Sequence, residues 1–483
     1  MGGMSVHYER LSHLDKSFLA LETRSTHMHV GAVAIFDSGS FATPDGGIDI
    51  DLLRSFVESK LSMVPRYRQR LAWVPLEGRP VWVDDEFFNI ERHIRNIALP
   101  RPGTDTQLKR IAGRLMSQPM DRSKPMWEIV VVEGLAGNRF ALVTKFHHSM
   151  IDGIAGVDLM AMLMGLDPAT EIEPGPPYVP RGIPNGTELV VRETTRRISG
   201  AISSLSGIRD VIADAAYITD GVLRRLKAVS ASLNSGWLSP TGTTPINGPV
   251  TPDRRVDWFS TPLDDVKEIK NLLGGTVNDA ILATVTGGIR RFLLEQRDVD
   301  EDTLYQTDFR VMAPVSVRSR DARMTQGNQL AMWLVPLPIE EADPVKQHAM
   351  IVEETNQLKE TNQALGAATL VEISAGAPST LVSLGGRLAA NVRPFNMTVT
   401  NVPGPQFPLY LYDAKLLATY PLVPLWETHG IGIALFSYTG SIDWGLNGDW
   451  DLMPDIEEFA DDLEEAMYDL LAAARGEVLA PVG

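Results

Sequence analysis

The string His147-His148-Ser149-Met150-Ile151-Asp152-Gly153 carries the residue types best suited to moving protons. Two of the nine histidines in the chain are adjacent here. A neutral imidazole is the side chain that can take a proton from an alcohol near pH 7. Neighbouring residues of a strand point to opposite faces, so the two rings take different roles. Asp152 follows His148 by four residues. On a helical turn that spacing lets it touch His148; alternatively it fixes the loop by pairing with an arginine elsewhere. Gly153 allows the backbone a sharp turn. Taken singly, a histidine at a strand end is ordinarily a satisfied structural residue, and the seven others in the chain read that way. The pair, the acid and the glycine together read as functional. His148 and Asp152 could also be two metal ligands, but no third ligand stands at a recognisable spacing.

The string sits between an apolar strand pattern (Phe140, Leu142, Val143, Phe146) and an apolar helix pattern (Ile154, Val157, Leu159, Met160, Leu163). Loops after strands are where α/β proteins display reactive groups. Earlier in the chain, Ser12-His-Leu-Asp15 has capping-box form ahead of Leu14, Phe18 and Leu21 at helical spacing. Val30 to Phe36 reads as a buried strand, Leu52 to Leu61 as a helix, and Leu71–Val74 with Val81–Val83 as a hairpin around Glu77-Gly78-Arg79. Thr104-Asp-Thr-Gln107 is a second capping box, and Trp127–Val132 a strand. Residues 168–187 hold six prolines and three glycines, the clearest linker. Glu188 to Leu233 is polar and helical, and 234–253 is a second loop. Beyond it lie a helix from Val277, strands from Phe309 and near Met332, Met397 and Ile431, and a last helix from Pro454 to a stop at Gly476.

The chain has 483 residues, which predicts two domains. Residues 1–170 form the first half, 171–253 a linker with crossover helices, and 254–483 the second half. Acids outnumber bases by 61 to 44, a net charge of −17. This excludes nucleic acid as a partner and argues against simple electrostatic adhesion to anionic lipid. There is no cysteine, so disulfides, thiol nucleophiles and thiolate metal sites are excluded. The densest apolar run, Leu159 to Leu166, is far short of the roughly 20 residues of a membrane span. The first ten residues lack an apolar signal core, so the glycosylation-like triplets at Asn185 and Asn396 carry no weight.

HHxxxDG is the hallmark of the acyl-CoA-dependent acyltransferase superfamily that includes chloramphenicol acetyltransferase and condensation domains. The wider sequence resembles the bacterial bifunctional wax ester synthase/diacylglycerol acyltransferases. Leu11-Ser-His-Leu-Asp15 with Thr26-His-Met-His-Val-Gly31 looks like that family's N-terminus. Lys124-Pro-Met-Trp127 matches its Pro-Leu-Trp motif with Met126 replacing leucine, Val277-Asn-Asp-Ala280 its Asn-Asp motif, and Asn401-Val-Pro-Gly-Pro405 its late segment. The resemblance runs from residue 10 to about 470.

It implies an α/β fold of two chloramphenicol-acetyltransferase-like halves, each a mixed sheet flanked by helices, with an active-site tunnel at their interface. It implies O-acyl transfer from long-chain acyl-CoA, a co-substrate rather than a bound cofactor, to diacylglycerol. The alternatives are a fatty alcohol, giving wax esters, or a small-molecule or peptidyl acceptor within the superfamily. His148 would be the general base, His147 would shape the site from behind, and Asp152 would hold the loop. The thioester oxyanion needs donors. Candidates are Asn278, Thr398 and Thr400, with Gly153; Asn278 faces the tunnel or the solvent, and the threonines are otherwise ordinary strand residues. Pro125, Trp127 and Asp279 are structural supports near the site, Asp279 as a helix cap. Arg192, Arg196 and Arg197, or Arg224, Arg225 and Lys227, could meet the phosphates of coenzyme A, against the simpler reading of a solvated face. The methionines at 160, 162 and 164 suit either an apolar channel or the core. A cytoplasmic protein associating peripherally with membrane or lipid inclusions is expected.

Overall fold

The computed structural model describes residues 7–75, 78–151, 159–189, 191, 192, 195, 239–316, 330–360 and 393–477. Asp152, Gly153, the start of the helix expected after them, Arg196, Arg197, Arg224, Arg225 and Lys227 lie outside the described residues, as does most of the stretch 188–233.

The N-terminal half runs β1 (Glu9–Arg10), α1 (His13–Leu21), β2 (His29–Asp37), α2 (Ile50–Lys60), β3 (Gln69–Val74), β4 (Arg79–Asp84), α3 (Ile90–His93), β5 (Ile94–Ala98), α4 (Asp105–Met116), β6 (Trp127–Leu135), β7 (Arg139–His147), α5 (His148–Ile151), α6 (Leu159–Leu163) and β8 (Met164–Gly165). The C-terminal half runs β9 (Arg254–Pro262), α7 (Leu263–Leu273), α8 (Val277–Glu295), α9 (Glu301–Tyr305), β10 (Arg310–Ser316), β11 (Leu330–Pro336), α10 (Pro344–Glu360), β12 (Met397–Pro403), β13 (Tyr410–Leu411), β14 (Ala414–Leu422), β15 (Ile431–Tyr438), β16 (Ser441–Asp449) and α11 (Ile456–Arg475).

Two mixed sheets flanked by helices carry the fold. The first has seven strands in the order β5-β6-β7-β2-β14-β13-β8, and the second six in the order β11-β10-β12-β15-β16-β9. Strand β2 is apolar along its length because both of its faces are covered. Ala34 and Phe36 join one core with α2, and Val33 and Ile35 another with α4. The second sheet buries Val399, Ile433 and Leu446 against α8 and α11. Met160, Met162 and Met164 pack on the first core.

The halves interlock. Strand β14 lies far beyond residue 254, yet it pairs antiparallel with β2, Thr419 opposite Ala34 and Leu422 opposite Gly31. It crosses β16 so closely that a Cβ at Gly445 would lie 1.9 Å from the Pro421 carbonyl. Only glycine permits that approach.

Local chemistry sets the helix ends. Ser12 with Asp15, Thr104 with Gln107, and Thr276 with Asp279 each close a complete capping box. The last helix starts at Ile456, two residues after Pro454, and stops where Gly476 adopts φ 74°. Among the described residues no single helix is long and apolar enough to cross a membrane. The pair α7 and α8 passes only jointly, is bent by 99°, and α8 lies in the core.

Candidate active site

The site is assembled where β2 begins beside the end of β7. His29 and His147 are opposite each other in that ladder. His147 is the last residue of β7, and His148 opens the short helix α5, so the chain turns between the two rings. Two backbone bonds anchor the turn. His147 donates its N–H to the Met126 carbonyl at 3.0 Å, and His148 donates to the Met28 carbonyl at 2.8 Å.

His148 is half-buried and stacks on Phe18, ring centroids 3.8 Å apart. Among the described residues no other residue bonds its ring, and its buried Nδ1 faces only the residue's own backbone. Burial pushes its pKa from the usual imidazole value down to about 4. Its own backbone favours a proton on the ring but does not offset burial, and neighbouring His147 adds to the depression. The ring is therefore neutral at pH 7 and able to accept a proton.

His147 is fully buried and differently engaged. Ser149 donates both its backbone N–H (3.1 Å) and its hydroxyl (2.7 Å) to Nδ1. Nδ1 therefore accepts, and a ring proton sits on Nε2. That nitrogen lies 3.4 Å from Glu22 Oε2, near enough to favour the carboxylate charge though off-line for a hydrogen bond. Glu22 caps the end of α1, four residues after Phe18, so one face of one helix reaches both histidines.

Glu22 is also the hub of a wider cluster. His29 Nε2 lies 3.4 Å from its Oε1, and Arg122 donates to Oε2 through Nε and Nη2. Burial alone would raise the Glu22 carboxyl; His147, His29 and Arg122 outweigh it and hold the group well below the usual carboxylate range. His27 stacks on His29 at 5.3 Å, and His29 meets His147 edge-on at 6.0 Å. Burial lowers His29 to about 4 despite Glu22, and lowers His27 with help from Arg254. Sequence reasoning set His27 and His29 aside as structural and overlooked Glu22 and Arg122. The one available signal was the i, i+4 pair Phe18 and Glu22 at the end of a capped helix.

The Lys124–Trp127 segment backs this turn directly. Met126 supplies the carbonyl for His147, and Pro125 O accepts from Trp127 N at 3.0 Å. Trp127 is buried, donates Nε1–H to Tyr67 O at 2.8 Å and stacks on His93. The remaining candidates stand apart. Thr398 and Thr400 point to the face of β12 opposite its core residues Met397 and Val399, and the Thr398 hydroxyl is buried without a partner. Asn278 is half-buried at the start of α8. Among the described residues no hydrogen bond or ring contact joins these three to either histidine. Asp279 is a cap: its Oδ2 accepts from Thr276 N–H at 2.7 Å and its Oδ1 from the Thr355 hydroxyl at 2.8 Å. Arg192 is exposed on a helical segment remote in sequence from the motif. No group of three or more His, Asp or Glu side chains is arranged to hold a metal ion among the described residues.

A model of the wax ester synthase/diacylglycerol acyltransferase catalytic domain matches residues 11–281, and that of the family's C-terminal domain matches residues 326–471. The chain belongs to the wax ester synthase/diacylglycerol acyltransferase family. A Mycobacterium tuberculosis H37Rv protein named as a diacylglycerol O-acyltransferase is 31% identical over 475 residues, 96% of this chain and 90% of that protein. A second from the same strain, named likewise, is 30% identical over 475 residues, covering 96% of both chains. Among solved structures, the wax ester synthase/diacylglycerol acyltransferase from Marinobacter aquaeolei VT8 is similar with a TM-score of 0.67 and 25% identity, covering 96% of this chain and all of that one. The first condensation domain of the calcium-dependent antibiotic synthetase shares the fold at a TM-score of 0.58 and 15% identity, over 99% of this chain and 98% of that one. This wax ester synthase/diacylglycerol acyltransferase family member is thus an acyl-transferring enzyme built on the two-sheet fold of condensation domains.

Proposed function

We propose that the enzyme moves a long-chain acyl group from acyl-CoA to diacylglycerol, with His148 as general base. The observation that carries this is the half-buried, neutral His148 ring, stacked on Phe18 at the end of β7 with no hydrogen bond to any other residue among those described. A proton kept on Nδ1 leaves Nε2 free to accept. Nε2 takes the proton of the acceptor hydroxyl as that oxygen attacks the thioester carbonyl. The tetrahedral intermediate collapses to the ester, and the coenzyme A thiolate leaves with the proton that Nε2 returns. No acyl-enzyme is required, in keeping with a chain that has no cysteine.

Family membership and the names of the mycobacterial relatives support the acyl donor and the diacylglycerol acceptor. Thr398, Thr400 and Asn278 remain the proposed oxyanion donors, and among the described residues the buried Thr398 hydroxyl has no hydrogen-bond partner of its own. Asp152 is assigned to the loop rather than to proton transfer, and Gly153 to the turn. Diglycerides reside in bilayers and inclusions, so contact with such a surface through apolar residues follows from the acceptor.

The test is an acceptor panel with radiolabelled palmitoyl-CoA. Triacylglycerol from diolein, in excess over wax ester from hexadecanol, is the expected product. Transfer to a polar acceptor with neither lipid product would overturn the reading.

A further inference from the structure

Away from the histidines, a cavity of about 610 Å³ opens between α4, the start of β9 and the start of α11. It is basic although the chain carries a net charge of −17. Two of its cations are already neutralised: Lys109 by the buried Asp257, and Arg254 by Asp449 at 3.6 Å. Arg110 and Arg114 are not. They are exposed, four residues apart on α4, and among the described residues neither side chain has an ion pair or hydrogen bond. Like charges at that spacing cost helix stability unless an anion bridges them. The acids on the opposite wall, Glu457 and Glu458, form no ion pair with either.

The rim carries a flat apolar surface. Trp450 is 47% exposed, yet Arg255 lies over its ring at 3.7 Å and donates to its carbonyl at 3.2 Å. The indole is thereby held in place while about half of the residue remains exposed, a surface on which a base can stack. Two free guanidinium groups beside an aromatic platform suit a phosphorylated nucleotide.

The cavity's lining also touches residues that back the active site. Its floor includes Ser117 and Arg254. Arg254 donates to the Ser25 carbonyl, and both floor residues act on the His27 ring. From His27, two ring-to-ring steps of 5.3 and 6.0 Å reach His147.

We infer that Arg110, Arg114 and Trp450 hold the adenosine 3′,5′-diphosphate end of coenzyme A. This rests on the proposed function and names the donor's anchoring site within it. Two measurements on the full-length protein test it: calorimetric binding of coenzyme A and of adenosine 3′,5′-diphosphate, and steady-state transfer from palmitoyl-CoA to diolein. In Arg110→Ala/Arg114→Ala, affinity for both nucleotides is expected to fall about tenfold or more, with an equal rise in KM for palmitoyl-CoA. The kcat and the KM for diolein stay within about twofold, and Arg110→Lys/Arg114→Lys restores part of the affinity. Trp450→Ala weakens nucleotide binding by roughly fivefold or more. Wild-type affinity retained in the double alanine variant sinks the anchoring site and leaves the acyltransferase reading intact. A wild-type protein that binds no coenzyme A and transfers no acyl group sinks both.

Discussion

By the usual markers, His148 in the N-terminal half and His429 in the C-terminal half are alike. Each ring stacks on a phenylalanine, Phe18 at 3.8 Å and Phe395 at 4.3 Å, and burial pushes each pKa to about 4. The difference lies in what the nitrogens meet. His429 donates Nε2–H to the Phe395 carbonyl at 2.7 Å and is spent on structure. His148 has no such partner among the other described residues, is only half-buried, and follows a second imidazole backed by a carboxylate. A depressed pKa therefore does not distinguish a base from a structural histidine. An uncommitted nitrogen beside an ordered charge does.

The strongest way to break this contrast is His148→Ala. Its turnover is expected to drop by roughly 10²-fold or more in the palmitoyl-CoA and diolein assay, the usual scale for a positioned base. Undiminished turnover in purified, folded variant would end the assignment. Next comes Glu22→Gln, which keeps shape but removes the charge facing His147 and His29. Its kcat should fall about tenfold with both KM values within about twofold, and Glu22→Asp should recover part of the loss.

Acid sharpens the comparison further. A base of pKa about 4 stays neutral at pH 5.5, so kcat/KM should hold to within about twofold between pH 7.5 and 5.5 and decline only nearer 4. An unperturbed imidazole would already lose about tenfold at pH 5.5. Stability follows the same groups. His29, His148 and His429 have folded values below the unfolded 6.5, so their contribution is full above that pH and is lost as pH falls toward 4. Samples returned to neutral pH before assay separate the two effects. Smallest in turnover is His429→Ala. Removing it orphans a buried carbonyl and opens a cavity, lowering stability by about 2–4 kcal/mol in denaturant titration. Activity per folded molecule should stay within about twofold.

What the sequence disclosed was local. The capping boxes at Ser12, Thr104 and Thr276 and the apolar run of β2 are decided by neighbours within a few residues. The motif pair at 147 and 148 was legible for the same reason. Strands β9, β14 and β16 were not. Strand β16 buries Asp443, Asn447 and Asp449 and includes Gly445 and Gly448, so it lacks strand patterning. Strand β14 contains Pro421 and a bulge between Leu416 and Ala418, and its partner β2 is nearly the whole chain away. Glu22 was hidden likewise. At the end of an amphipathic helix it reads as a solvated acid, and only the fold brings His29, His147 and Arg122 around it.

The late strand β14 has one more consequence. It covers the far flank of β2, and β2 braces the His147–His148 turn through β7. A fragment cut at the proline-rich linker would leave β2 as a raw edge, an open template for self-association. The two lobes therefore cannot be traded between relatives as independent cassettes. Whatever tunes one lobe is answerable to the ribbon it lends the other.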